Sequence, residues 1–447
     1  MFNGEISSAR TRMRRLLRWL SPGMQLKRWL LLAALGAAFF IDGVTRLLNL
    51  QRYDLRINDW IDRFNGGHVT ALDIAIIFLL VGSLLVYYGV RQWMRSIVAA
   101  VSPQDSQRLI EVIYERRQLD RGFRIVAIGG GTGLSTILRG LKGYTANLTA
   151  IVTVTDDGGS SGRLRTELGV LPPGDIRNCL VALADSESMM TDLFQYRFNE
   201  GDGLSGHSFG NLFLAAMCGI AGDFDRAIKE SSRVLAIKGR VLPSTLANVS
   251  LEATLADGSC VLGETSVSRS TAPIQQVRLV PPSCEPLPEA IEAILAADAV
   301  ILGPGSLYTS IMPNLLVPGI AEAIEASRGK RFYVCNIMTQ PGETDGMTAS
   351  DHVRVLLDAG DRRLFDYALL NVQEPRRLLR MYESEGAHQV APDVDRVAGL
   401  GVTPIPGKFV SETQQVRHDP KRLAQAILKL VLEESTSDAG ARARRVS

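Results

Sequence analysis

Residues 123–133 read FRIVAIGGGTG, and residues 134–142 follow as LSTILRGLK. The first run is short and β-branched, and it ends in glycines. The second has helical spacing. A strand, a glycine turn and a helix in that order open a parallel βαβ unit. The pattern returns downstream in LTAIVTVTDDGGSSG (148–162), ADAVILGPGS (297–306), RFYVCNIM (331–338) and DYALLNV (366–372). Each is a buried-type strand followed by Gly, Pro or polar residues. The expected fold is α/β, a Rossmann-like doubly wound and mostly parallel sheet. In such sheets ligands bind beyond the carboxyl ends of the strands. All of these glycine-rich segments fall at that edge. Residues 241–282 differ: Asp257–Gly258 lies between two alternating runs, a hairpin signal. A small antiparallel β insertion is expected there.

The 447 residues suffice for two or three domains. With 46% hydrophobic and 21% charged residues the chain can bury a large core, which excludes disorder as its main state. Net charge is +2. Arg10, Arg12, Arg14, Arg15, Arg18, Lys27 and Arg28 stand against Glu5 within residues 1–28, leaving the remainder mildly acidic. An acidic body argues against nucleic acid as a partner, because phosphate neutralisation needs clustered Lys and Arg. Cys179, Cys218, Cys260, Cys284 and Cys335 form no CxxC pair and read as reduced thiols.

Ahead of the α/β pattern lie two apolar runs, Trp29–Ile41, extended to Leu50 with only Asp42 and Arg46, and Ile74–Val90. A helix crossing about 30 Å of hydrocarbon needs about 20 largely apolar residues. A buried core helix or a cleavable signal peptide are the other readings of such runs. Basic residues before the first run, and Arg91 and Arg95 after the second, place both ends on the cytoplasmic side. The expected organisation is therefore a basic cytoplasmic N-terminus (1–28) and a transmembrane hairpin (29–95, spans about 29–48 and 70–90). A linker helix (96–122), a nucleotide-binding domain (123–432) and a disordered tail (433–447) follow. The amphipathic stretch 104–120 connects hairpin to domain or pairs two chains. The protein is expected in the inner membrane, with its main domain in the cytoplasm.

Six segments carry candidate chemistry. Gly130, Gly131, Thr132 and Gly133 suit close approach to a phosphate at a helix N-terminus, or a tight strand-to-helix turn. The spacing does not match G-x-G-x-x-G, which sets aside a nicotinamide oxidoreductase, and no Lys completes a P-loop. Asp156 and Asp157 end a strand where a carboxylate meets a ribose hydroxyl, holds Mg²⁺ or caps a turn. Ser160 and Ser161 follow. Asp175 reads as a helix cap, with Arg177 and Asn178 one turn in. His207 and Asn211 lie in GHSFGN at a helix start, where the histidine is either structural or functional. Gly303, Gly305, Ser306, Thr309 and Ser310 form a donor-rich turn suited to phosphate oxygens. The loop 336–346 is a further polar turn after a strand.

Taken together, GGGTGLSTILRGLK, TDDGGSSGRLR, LPPGDIRNCLVALAD, GHSFGN, LGPGSLYTS and CNIMTQPGETDG resemble the gluconeogenesis factor family (YvcK-type). That family lies in the superfamily of 2-phospho-L-lactate transferases, and the resemblance covers about 123–430. It implies a Rossmann-like regulator that binds nucleotide sugars such as UDP-N-acetylglucosamine. Such a regulator supports growth on gluconeogenic carbon, normal cell shape and wall synthesis. It also implies roles for a late tyrosine and arginine, here Tyr382 in MYESEG and Arg417 in VRHDP. Tyrosine can stack on a uracil ring and arginine can pair with a diphosphate. The related transferases use Mg²⁺, so an enzymatic alternative assigns Asp156 and Asp157 to a metal. Expected partners are a nucleotide-diphosphate ligand, the membrane, a second copy of the chain and a wall-regulating protein.

Overall fold

The computed structural model describes residues 26–48, 71–101, 117–185, 187–270, 272–359 and 363–445. The chain divides into two compact units, residues 1–115 and 116–447. The basic segment before residue 26, the loop 49–70 and most of the linker (102–116) lie outside the described residues.

In the first unit, helices Leu26–Leu47 and Ala71–Val101 run antiparallel. Small residues set their spacing. A Cβ on Gly36 would meet the backbone of Val86 and Gly82, one on Gly82 the backbone of Phe40, and one on Gly89 the backbone of Ala33 and Trp29. Phe39 packs edge-on against Phe78 at 5.2 Å, and Trp29 against Tyr88 at 5.8 Å. The bulk turns outward: Leu31, Leu35, Ile41, Leu80, Leu84 and Tyr87 are exposed. Both helices are long and apolar enough to cross a membrane.

Among the described residues of the second unit the strands are β1 (Ile125–Gly129), β2 (Leu148–Val152), β3 (Arg240–Pro243), β4 (Ser250–Leu255), β5 (Cys260–Leu262) and β6 (Ile274–Val280), then β7 (Ala299–Leu302), β8 (Lys330–Val334), β9 (Tyr367–Asn371), β10 (Thr403–Gly407), β11 (Val410–Glu412) and β12 (Val416–His418). Seven form one parallel sheet in the order β10-β9-β8-β7-β1-β2-β3. Ala127 of β1 pairs with Ala150 of β2 on one side and Ile301 of β7 on the other. Strands β1, β2 and β7 are buried along their whole length, as continuous Val/Ile/Leu runs require in a sheet covered on both faces. Strand order reverses between β1 and β7, the topological switch point where a crevice forms. The N-terminal helix of the domain, Gly131–Leu141, packs on the last helix: a Cβ on Gly140 would meet the Pro420 backbone and Ala424.

Three expectations shift. The antiparallel insertion is β5-β4-β6 with the Asp257–Gly258 turn as expected, but it begins at Ser250. Val241–Pro243 belongs to β3 on the edge of the main sheet. Strand β10, TPIPG, escapes sequence reading because Pro404 and Pro406 are strand breakers; an edge position tolerates them. The last helix runs Pro420–Arg445, so the backbone of the expected tail continues as helix, consistent with its Ala, Glu and Arg content.

A second, smaller core joins Ile337, Met338, Val410 and Val416 to Leu378, Leu379 and Tyr382. It ties the β11–β12 hairpin and helix Leu379–Ser384 to the end of β8.

Candidate functional site

Two loops meet at the switch point. The turn after β1 faces the turn after β7. A Cβ on Gly130 would come within 2.5 Å of Ser310 Oγ, and one on Gly133 would overlap the Pro304 carbonyl. Gly131 closes in the same way on the backbone of Asp175. These glycines are spent on bringing backbones together, and the seam they make is the wall of the site. Gly303, at φ +79°, turns the chain out of β7. Thr309 points its N–H into the protein, donating to Glu343 Oε1 at 2.8 Å, so it braces the turn from beneath.

Along the seam opens a cleft of about 280 Å³. Thr132, Gly133, Thr136, Gly305, Ser306 and Ser310 line it from the two turns. Asn336 to Gln340 line it from the loop after β8, and Tyr382 from helix Leu379–Ser384. Gln415 to His418 line it from β12 and its approach. Gly130 supplies no side-chain cap to the helix that starts here, so that N-terminus presents N–H groups with partial positive charge. The half-buried Tyr382 ring is held by Val416 N–H, which donates to its hydroxyl at 3.2 Å. Arg417 is exposed, with Nε and Nη2 both donating to Gln415 Oε1. The predicted residues Thr132, Gly133, Gly305, Ser306, Ser310, Tyr382 and Arg417 thus share one hollow, and Gly130 backs it.

A second group of predicted residues forms a polar network adjoining the cleft without lining it. Arg177 Nη1 donates to Ser208 Oγ at 2.6 Å and to Asn211 Oδ1 at 2.8 Å. Arg177 Nη2 donates to Asn178 Oδ1 at 2.9 Å. Asn178 Nδ2 reaches Thr132 Oγ1 at 3.5 Å, the link to the cleft. Asn211 Nδ2 donates to Ser161 Oγ at 3.4 Å, and Ser160 Oγ lies 2.8 Å from His207 Nδ1. Burial and the Arg163 guanidinium push the His207 ring below its ordinary value.

The adjacent carboxylates go to different partners. Asp156 Oδ1 accepts the Gly158 N–H at 2.9 Å, a capped turn. Asp157 Oδ1 accepts from Thr265 N–H and O–H at 2.9 and 2.7 Å and so pins the short helix Glu264–Val267 of the insertion. Asp175, read in the sequence as a helix cap, makes no cap bond; its carboxyl is pushed up to about 6 by burial and by Asp156, against the Gly131 N–H. Burial, with Asp175 and Asp156 nearby, raises Glu264 well above the carboxylate range. Among the described residues no group of three His, Cys, Asp or Glu side chains is spaced to hold a metal ion.

A family profile described as 2-phospho-L-lactate transferase CofD matches residues 125–410. The gluconeogenesis factor of Bacillus subtilis is 48% identical over 69% of this chain and 98% of its own. The chain belongs to the gluconeogenesis factor family. A Bacillus halodurans protein of known crystal structure, 48% identical, superposes with a TM-score of 0.67 over 69% of this chain and all of its own. The profile match lies wholly within the second unit. A provisionally named gluconeogenesis factor of Nostoc sp. is 49% identical over 92% of both chains. Most of the N-terminal region, which lies outside the resemblance over about 123–430, is therefore matched in this relative.

His418 and Gln415 were not singled out by the sequence reading, and Asn336 and Thr339 entered it only as members of the polar loop 336–346. Asn336 had a signal, heading the polar loop after β8, and His418 follows Arg417 directly. Their place in the cleft comes from the β11–β12 hairpin folding back over β8 through the small core.

Proposed function

We propose that this chain is a membrane-anchored regulator that binds a nucleotide sugar of the UDP-N-acetylglucosamine kind in the cleft between the β1 and β7 turns. It would link carbon supply to envelope growth and cell shape. One observation carries the reading: a single hollow is lined by hydroxyl and glycine donors of two strand-end turns, an aromatic ring and a guanidinium. Ser306, Ser310, Thr132 and the N–H groups of Gly131–Leu141 suit the diphosphate, with Arg417 able to turn from Gln415 toward it. Tyr382 offers a face for the base. The hairpin, apolar on its outside, supports the anchor, and the basic residues before its first helix support a cytoplasmic second unit.

The test is isothermal titration of the full-length protein in detergent micelles with UDP-N-acetylglucosamine and UDP-glucose. Saturable binding that weakens at least tenfold in Arg417→Ala supports the reading. No heat from either ligand refutes it.

A second reading, a Mg²⁺-dependent transferase acting on a nucleotide-diphosphate-linked substrate, is favoured by the name of the matching family profile and by the acidic residues Asp156, Asp175 and Glu264 beside the seam. When bound, the metal would neutralise charge developing on phosphate oxygens. The second oxygen of Asp156 lies toward the start of helix Gly174–Leu183, where a Cβ on Gly174 would come 3.0 Å from Asp156 Oδ2. Mg²⁺-dependent turnover of a phospholactyl-nucleotide donor, lost in Asp156→Ala, would establish this reading over the first.

A further inference from the structure

His418 lies in the wall of the cleft, 7% exposed, and its two ring nitrogens differ in what they do. Nε2 sits 3.1 Å from the Cys335 carbonyl. A carbonyl can only accept, so Nε2 carries the proton. Burial holds the imidazolium down to about 4, so the ring is neutral at physiological pH. Nδ1 is then a bare lone pair. It has no hydrogen-bond partner among the described residues, yet it is not sealed from solvent, and the open space beside this residue is the cleft. Asn336, immediately after Cys335, lines the same cleft, and its side-chain amide likewise has no partner among the described residues. The wall thus offers a fixed acceptor and a free amide donor close to the half-buried face of Tyr382.

We propose that His418 Nδ1 accepts the ring imide N–H of a keto nucleobase, while Asn336 donates to the neighbouring keto oxygen, so that the cleft selects uracil or guanine over cytosine or adenine. This rests on the nucleotide reading above and adds to it which bases are taken. Uracil and guanine both present C=O beside N–H. Cytosine and adenine present a ring lone pair where the N–H would be, and that lone pair would face Nδ1. An acceptor confronted with an acceptor leaves both desolvated and unpaired, which binding sites reject more strongly than a lost apolar contact. Because the tether to Cys335 sets the tautomer, the discrimination persists from pH 6 to pH 9.

The experiment measures Kd on the full-length protein in micelles for UDP, GDP, CDP, ADP and the diphosphate of N3-methyluridine. The preferred keto nucleotide binds at least about tenfold tighter than the amino nucleotide of the same ring size. The UDP and GDP arms identify which keto base is taken. If UDP is preferred, N3-methylation, which replaces the N–H hydrogen with a methyl group, costs at least about tenfold on the unaltered protein. His418→Phe brings the keto-to-amino ratio toward one, and His418→Gln, which retains a donor and an acceptor, restores part of it. Ser310→Ala weakens all nucleotides alike and leaves the ratio. Keto and amino nucleotides binding within twofold of each other, or N3-methyluridine diphosphate binding as well as a preferred UDP, overturn the inference and leave the nucleotide reading standing. No binding of any of them overturns both.

Discussion

The seam between the two turns gives a sharp energetic test. In Gly133→Ala the new methyl meets the Pro304 carbonyl, with Gly305 Cα at 2.8 Å. Both obstacles are backbone, so relief requires the turns to part. Overpacking of this kind costs about 1–3 kcal/mol. For a unit of this size, Arg116–Ser447, each kcal/mol lowers Tm by about 1–2 °C, so a drop of about 2–4 °C is expected at the middle of that range. The parting also widens the cleft, and nucleotide affinity falls at least tenfold. Gly219→Ala is the paired control. It lies in helix Phe209–Ala221 with nothing within 4 Å of the new Cβ, so it gains about 0.5–1 kcal/mol from helix propensity alone. Thermal unfolding of both variants by circular dichroism, beside the parent, is the assay. A Gly133→Ala midpoint within 1 °C of the parent would refute the claim that these two backbones bear on one another.

Glu343 is 5% exposed with Oε2 unpartnered, and burial raises its carboxyl to about 7 despite the bonds from Thr309. A folded-state pKa above the unfolded value means that stability falls as pH rises from about 4.5 through 7, by about 3 kcal/mol in all. Glu343→Gln keeps an acceptor for Thr309 N–H and removes that loss, so its Tm should match the parent at pH 4 and exceed it at pH 8.5; equal differences at both would contradict this. Asp157→Ala releases the two bonds from Thr265, and chemical denaturation should show a loss of about 0.5–2 kcal/mol. An unchanged midpoint would mean that Asp157 does not pin the insertion. A reporter fused after Gly122 should behave as cytoplasmic in living cells, and its export would reverse the proposed topology.

Strands β1, β2, β7, β8 and β9 were legible because a sheet covered on both faces demands unbroken apolar runs, and theirs end abruptly in Gly, Asp or Asn. That alternation also placed the cleft, since the carboxyl ends of such strands share one edge. Strand β10 was not legible: two prolines argue against a strand unless its edge position is known, and that is a property of the finished sheet. The motif residues divided for a similar reason. Thr132, Ser306 and Ser310 reach the cleft because their turns point outward. Arg177 and Asn211, with equally suggestive chemistry, turn toward each other, and His207 turns toward Ser160. Spacing along a chain identifies which polar residues stand at an edge, but not which of them saturate one another there. His418 illustrates the converse, since only the fold brings the Cys335 carbonyl, 83 positions earlier, against its Nε2.

The two N-terminal helices approach backbone to backbone at Gly36, Gly82 and Gly89, between the ring pairs Trp29–Tyr88 and Phe39–Phe78. A pair cinched at its backbones behaves as one thick rod. Most of its aliphatic side chains go to the perimeter, so any surrounding medium meets a hydrocarbon jacket. Enlarging one of those glycines would pry the rod apart from within while leaving the jacket's composition untouched.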